Sequence, residues 1–153
     1  MTPNASEQPG LEARFAHYQG ELAARIGGLA AEDGIHTTPI AGLDLIRTSQ
    51  TSLPVPTLYR PCLCIMAQGR KEVRLGEERY IYDPLNYLVA SVTLPVTGQV
   101  IDASPEQPFL GLRLDIDPAL ISSLIADAGR SAYPARLATS AVPRSPGPAV
   151  ARC

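Results

Sequence analysis

From Ile35 to Ile116 the chain runs in short apolar and β-branched stretches cut by proline and glycine, with almost no helical periodicity. The stretches predict strands near 38–48, 58–68, 70–75, 78–83, 87–92, 96–103 and 108–116. Strands at such even spacing suggest a closed β-barrel or a sandwich. At 153 residues the chain suits one domain around one core.

One hairpin can be read to the residue. A two-residue loop, Gly76-Glu77, with glycine first as a type II′ turn prefers, sets Leu75 opposite Glu78, Val73 opposite Tyr80 and Lys71 opposite Tyr82. Val73, Leu75, Tyr80 and Tyr82 then share the inward face, while Glu72, Arg74, Arg79 and Ile81 share the other. Alternation from Leu110 to Ile116 sends Leu110, Leu112, Leu114 and Ile116 to the core and leaves Arg113 and Asp115 solvated.

Two helices bracket this region. Leu11, Phe15, Tyr18, Leu22, Ile26 and Leu29 recur at three- and four-residue steps, a stripe that predicts an amphipathic helix docked on the sheet and ending near Gly34. Asp117-Pro118 predicts a second helix start, capped by Asp and pre-set by Pro, with Leu120, Ile121, Leu124 and Ile125 as its apolar stripe and Gly129 as its end. After Gly129, proline, alanine, serine and arginine follow without hydrophobic period, so no packed element is expected there.

Several function classes lack their residues. A barrel metal site takes two or three histidines with a carboxylate, and the chain has only His17, on the first helix, and His36, before the first strand. No Gly-x-Ser-x-Gly and no glycine-rich phosphate loop occur, and Glu77-Glu78 sit at a hairpin turn rather than in a cleft. Up to Asp127 the chain carries all 15 acids against 9 bases, a poor match for phosphate backbones. No apolar run approaches the roughly 18 residues of a membrane span, and Met1 to Gly10 is polar, so a cytoplasmic protein without membrane contact is expected.

What remains is an interior able to hold a small molecule. Tyr59, Cys62, Cys64, Met66, Tyr80 and Tyr82 are the lining candidates, with core filling as their commoner fate. Cys62-x-Cys64 places two thiols on one side of a strand. They read either as small buried hydrophobes or as a thiol sensor whose pKa is lowered by Arg60 and Arg70, Cys64 being the residue to test.

Pro61 to Lys71, "PCLCIMAQGRK", and Ser91 to Val100, "SVTLPVTGQV", followed by "ASPEQPFLGLRLDIDPALISSLI", closely resemble the N-terminal domain of AraC-type transcriptional regulators over about residues 34–128. The resemblance implies a mostly-β fold, a cupin-like β-barrel or double-stranded β-helix. It also implies a bacterial sensor, not an enzyme, that binds a small-molecule effector, forms a homodimer and needs no metal or cofactor. It divides the chain into an amphipathic helix (1–34), the sensor domain (35–128) and a linker-like tail (129–153). "SAYPARLATSAVPRSPGPAVARC" matches no helix-turn-helix segment, so the sequence reads as a regulator truncated before its DNA-binding domain, with DNA reached only through the missing part. A metal-dependent cupin enzyme and a ligand-independent dimerisation module are the alternatives. The turn Asp83-Pro84-Leu85-Asn86 has Asn86 where cupins often use Gly, and because Asn tolerates a left-handed backbone the fold is not threatened. Tyr82→Ala is expected to weaken effector binding without harm to the fold.

Overall fold

The computed structural model describes residues 10–130 and 150–152, so the expected tail falls largely on residues outside the described ones. Helix α1 (Leu11–Leu29) is followed by β1 (Gly34–Thr37), β2 (Leu43–Thr48), β3 (Val55–Tyr59), β4 (Cys62–Gln68) and β5 (Arg70–Leu75). Then come β6 (Glu78–Tyr82), β7 (Leu88–Ala90), β8 (Leu94–Asp102), β9 (Phe109–Asp115), α2 (Pro118–Arg130) and β10 (Val150–Arg152).

The strands form two antiparallel sheets. One has the order β1-β2-β9-β4-β7-β10 and the other β3-β8-β5-β6. Of the closed barrel or sandwich that the strand spacing suggests, the chain forms two layers, and the barrel is corrected. The cause lies in the breaks: between β2 and β9 every connection except the β5–β6 hairpin changes sheet. Arg60-Pro61 splits the predicted strand 58–68 into β3 and β4, one in each sheet, because proline has no N–H to carry the ladder on. The predicted strand 38–48 is likewise a hairpin's second arm. Thr38 closes its turn, with its hydroxyl donating to Leu43 O at 2.9 Å and accepting from Ile40 N at 3.1 Å.

The β5–β6 register is as expected, with Lys71 opposite Tyr82, Val73 opposite Tyr80 and Leu75 opposite Glu78. Gly76 has φ 58° and, among the described residues, no non-glycine has positive φ, so Glu77 keeps a negative φ as a type II′ loop demands. Asn86 does not use the left-handed backbone that Asn tolerates. Asp83 Oδ1 instead accepts from Leu85 N and Asn86 Nδ2, both at 2.9 Å, so the side chain makes the turn.

Two cores result. Between the sheets lie Met66, Val73, Leu88, Val96, Val100 and Phe109 among others, Phe109 with no exposed surface. A second, smaller core joins Leu22, Ala23, Ile26 and Ala30 of the α1 end to Leu45, Ala67, Leu110 and Leu112 on the outer face of the larger sheet. Helix α1 thus docks by its C-terminal half, while Leu11 and Tyr18 of the same predicted stripe stay exposed.

This second core corrects the reading of β9. Leu110 and Leu112 are buried against α1, outside the sandwich, and Arg113 pairs in register with Asp44 and Cys64 on the face turned to the other sheet. A strand covered on both sides has two apolar faces, so alternation alone does not tell which one faces the second sheet.

On the outer face of the smaller sheet the predicted Glu72, Arg74 and Arg79 group forms an ion-pair cluster. Glu72 is buried beneath the two guanidiniums, accepting from Arg74 Nε at 2.6 Å and from Arg79 Nε. Hydrogen bonds from Arg74 and then Arg79 hold its carboxyl below the usual range. Its folded pKa is depressed, so its stabilisation is present above the free carboxylate value of about 4.3 and is lost as pH falls through the lowered one. Both arginines are more than half exposed, which keeps the effect modest. In melting curves between pH 7 and pH 3, Glu72→Gln should flatten the acid limb. Identical slopes in variant and parent would remove Glu72 from the acid response.

Helix α2 begins as expected: Asp117 Oδ1 accepts from Ala119 N at 2.8 Å, capping the first turn. Its apolar stripe is uncovered, with Leu120 57%, Ile121 42%, Leu124 54% and Ile125 68% exposed. At the other end of the larger sheet, Val150–Arg152 pairs with β7, so part of the segment expected to be unpacked joins a ladder.

Candidate functional site

The site is built where β3 breaks into β4. Tyr59 ends one sheet's strand, Cys62 opens the other's, and the two bring their side chains into the space between layers. There a recess of about 220 Å³ is lined by Leu58, Tyr59, Arg60, Cys62, Arg113 and Asp115. A larger recess, about 560 Å³, lies near the β5–β6 turn against Pro54, Pro56, Arg74 and Thr97. Its single charged wall, Arg74, is already committed to Glu72, so the chemistry belongs to the smaller recess.

Of the residues expected to line an interior, Tyr59, Cys62, Cys64, Met66 and Tyr82 come together in the inter-sheet core. Tyr80 does not join them. It is half-buried, and its hydroxyl donates to the exposed Glu78 carboxylate. The Tyr59 and Tyr82 hydroxyls lie 3.2 Å apart, each paired to the other within the core. Burial, and then the neighbouring Tyr59, push the Tyr82 phenol well above its ordinary value, so Tyr82 is a neutral hydroxyl there.

The thiols differ from each other. Cys62 Sγ and Cys64 Sγ stand 3.9 Å apart, close enough for one S–H to point at the other sulfur. Cys64 as donor favours the thiolate of Cys62, whose pKa is lowered chiefly by that contact. Burial and Asp115 work against the shift, while Arg113 and Lys71 assist it. Cys64 is pushed far up, first by its role as donor and then by burial. Two expectations change: the sulfur facing the recess is that of Cys62, and the positive field comes from Arg113 and Lys71. Arg70 is exposed and pairs with Asp102 at 3.3 Å. Cys64→Ala should therefore move the pH midpoint of Cys62 alkylation by iodoacetamide upward, whereas Cys64→Ser, which keeps a donor, should not. An unchanged midpoint in Cys64→Ala would separate the two sulfurs.

Sequence reading missed two charged groups. Arg113, expected in solvent, donates from Nη2 to Asp44 Oδ2 at 2.7 Å. Its buried Nε lies 3.3 Å from Asp115 Oδ1 yet finds no aligned acceptor among the described residues. Lys71 stands opposite Tyr82 and Val100, both core residues, and its ammonium lies 5.8 Å over the Tyr59 ring. Its stem passes over Gly98, where an added Cβ would meet Lys71 Cε at 3.3 Å. The predicted pairing of Lys71 with Tyr82 was the signal that could have found it.

His36 Nε2 donates to Glu32 O at 2.8 Å, and His17 stacks edge-on with Tyr18, so the histidines lie apart from the recess. Among the described residues no three of His, Cys, Asp and Glu gather to hold a metal, and no helix is long and apolar enough to cross a membrane.

Compared with protein families, residues 39–152 match the family described as the AraC-type transcriptional regulator N-terminus. No curated protein and no solved structure matches the chain.

Proposed function

We propose, from the premise that this chain belongs to the AraC-type transcriptional regulator N-terminal family, that it senses a small molecule between its two sheets and couples binding to dimerisation. The observation that carries this reading is polar equipment enclosed where a merely structural core would be apolar. A phenol, a thiol, two guanidiniums and a carboxylate line one recess, with the Tyr82 hydroxyl, the Cys64 thiol and the Lys71 ammonium next to its Tyr59 and Cys62 walls, and polar groups are costly to bury without partners. Pockets with a few convergent polar groups in an apolar setting are what small-ligand sites require. The repeated change of sheet between successive strands supports a cupin-like double-stranded β-helix as the underlying plan. The bare apolar stripe of α2 supports a second copy of the chain as partner, since contiguous exposed apolar surface marks an interface.

The domain's role is regulatory, with DNA contact left to other parts of a regulator, in keeping with the acid excess before Asp127. Native mass spectrometry of the purified chain tests both halves of the proposal. A dimer carrying an organic mass is expected. Monomers without any organic mass would contradict it, and one metal ion per chain in place of the organic mass would favour a metal-dependent enzyme.

A further inference from the structure

The recess has an excess of hydrogen-bond donors. Among the described residues Lys71 has no carboxylate within ion-pair distance, although its stem is half-buried and its ammonium lies over Tyr59, a wall of the recess. Arg113 adds a buried Nε–H without an acceptor. The Tyr59–Tyr82 pair has two O–H groups and uses one between them, which leaves one donor over. Arg113 and Tyr59 line the recess and the Lys71 ammonium lies over the Tyr59 ring, so an Nε–H, a phenol and an ammonium gather about one aromatic wall, and buried donors left unpaired cost free energy.

Charge points the same way. The charged groups around Tyr59 are Lys71, Arg60 and Arg113 on the positive side, and Asp115 with Asp44 on the negative side. Asp44 and Asp115 both lie against Arg113, which leaves Arg60 and Lys71 without a carboxylate among the described residues; Arg60 is exposed to water and Lys71 half-buried, so the missing negative charge costs more at Lys71. The volume, about 220 Å³, is below the roughly 300–1,000 Å³ of sites for drug-sized ligands and suits a single ring with one short substituent.

Resting on the sensing reading above, we infer that the effector is a small monoanionic carboxylate whose acid group is received by Lys71 and whose apolar body lies against Tyr59. A carboxylate offers about four acceptor positions to this donor set, and the ring has the apolar walls of Tyr59 and Leu58 to lie against. A neutral ligand would leave the Lys71 ammonium unpaired, and a cationic one would face it directly.

The test uses single-ring fragments in matched sets on the full chain: benzoate, benzamide and benzylamine, with the corresponding furan set, followed by ligand-observed NMR. Carboxylates should bind at least about tenfold tighter than their amide twins, as expected for a hydrogen bond to a charged partner. The preference should vanish in Lys71→Met and persist in Lys71→Arg. Should Lys71→Met fail to fold, the wild-type charge series and Lys71→Arg still decide. An amide or amine that matches its carboxylate twin, or a Lys71→Met protein that keeps the preference, would overturn the carboxylate inference while sensing stands. Absence of binding by every fragment would overturn it too, and native mass spectrometry then decides separately whether the sensing reading falls with it.

Discussion

Gly69→Ala is expected to be the most destabilising single-methyl change in this fold, lowering stability by about 3 kcal/mol or more. Gly69 is the lone residue between β4 and β5, where the chain leaves one sheet for the other. It sits at φ 82°, a left-handed conformation that costs other residues roughly 1–3 kcal/mol. An added Cβ would also lie 2.6 Å from Asp102 O and 3.0 Å from Phe109 Cα. Both are backbone atoms, and Phe109 is fully buried, so neither can swing away as a long side chain could. The melting temperature should fall on the order of 10 °C. As a control, Gly20→Ala on α1, with nothing within 4 Å of the new methyl, should leave stability equal or slightly raised. A Gly69→Ala protein melting with its parent would mean that the crossover between sheets is built differently.

Tyr82→Ala is the second large effect, about 3–5 kcal/mol, the usual cost of removing a buried aromatic. Tyr82 is 3% exposed and packs in the same inter-sheet core as Cys64, Val73 and Phe109. The idea that this substitution tests binding with the fold untouched is therefore corrected: the ring is a structural member of the core, behind the Tyr59 wall of the recess rather than in its lining. Tyr82→Phe is the informative variant. It keeps the ring, gives up the contact with the Tyr59 hydroxyl at a cost of about 0.5–1.5 kcal/mol, and frees that hydroxyl to meet a ligand alone. Chemical denaturation of both variants checks the pair of values; equal losses would place the stabilisation in the hydroxyl rather than the ring.

Local pattern revealed more of this molecule than charge did. The β5–β6 register follows from a glycine-first two-residue loop, and Asp117 caps α2, because both depend on neighbours a few residues away. Cys62, Cys64 and Met66 were legible for the same reason, since alternation puts them on one face, whereas Tyr59, on the opposite phase of the predicted strand, reaches the same core only because the chain breaks at Arg60-Pro61. Lys71 and Arg113 were not. A cation in an alternating strand reads as solvated: for Arg113 only the pairing of β9 with β4 reveals that it faces the other sheet, while for Lys71 the hairpin register, which sets it opposite Tyr82, already held the clue. The β9 leucines misled in the complementary way, since α1 covers the outer face that the alternation assigned to the interior. The split at Arg60-Pro61, which creates the recess, depends on where two sheets part, and that is a property of the whole topology.

The central claim is that the recess beside Tyr59 and Cys62 receives the effector. The most direct measurement is the rate of Cys62 alkylation by iodoacetamide, followed by peptide mass analysis, in protein that retains its bound molecule and in protein stripped of it. Cys62 is 1% exposed, so its alkylation waits on opening of the recess; a ligand held there opposes that opening, and the liganded form should react at least about tenfold more slowly at the same pH. Equal rates, with the ligand shown by mass to be bound, would place the effector elsewhere and contradict the account.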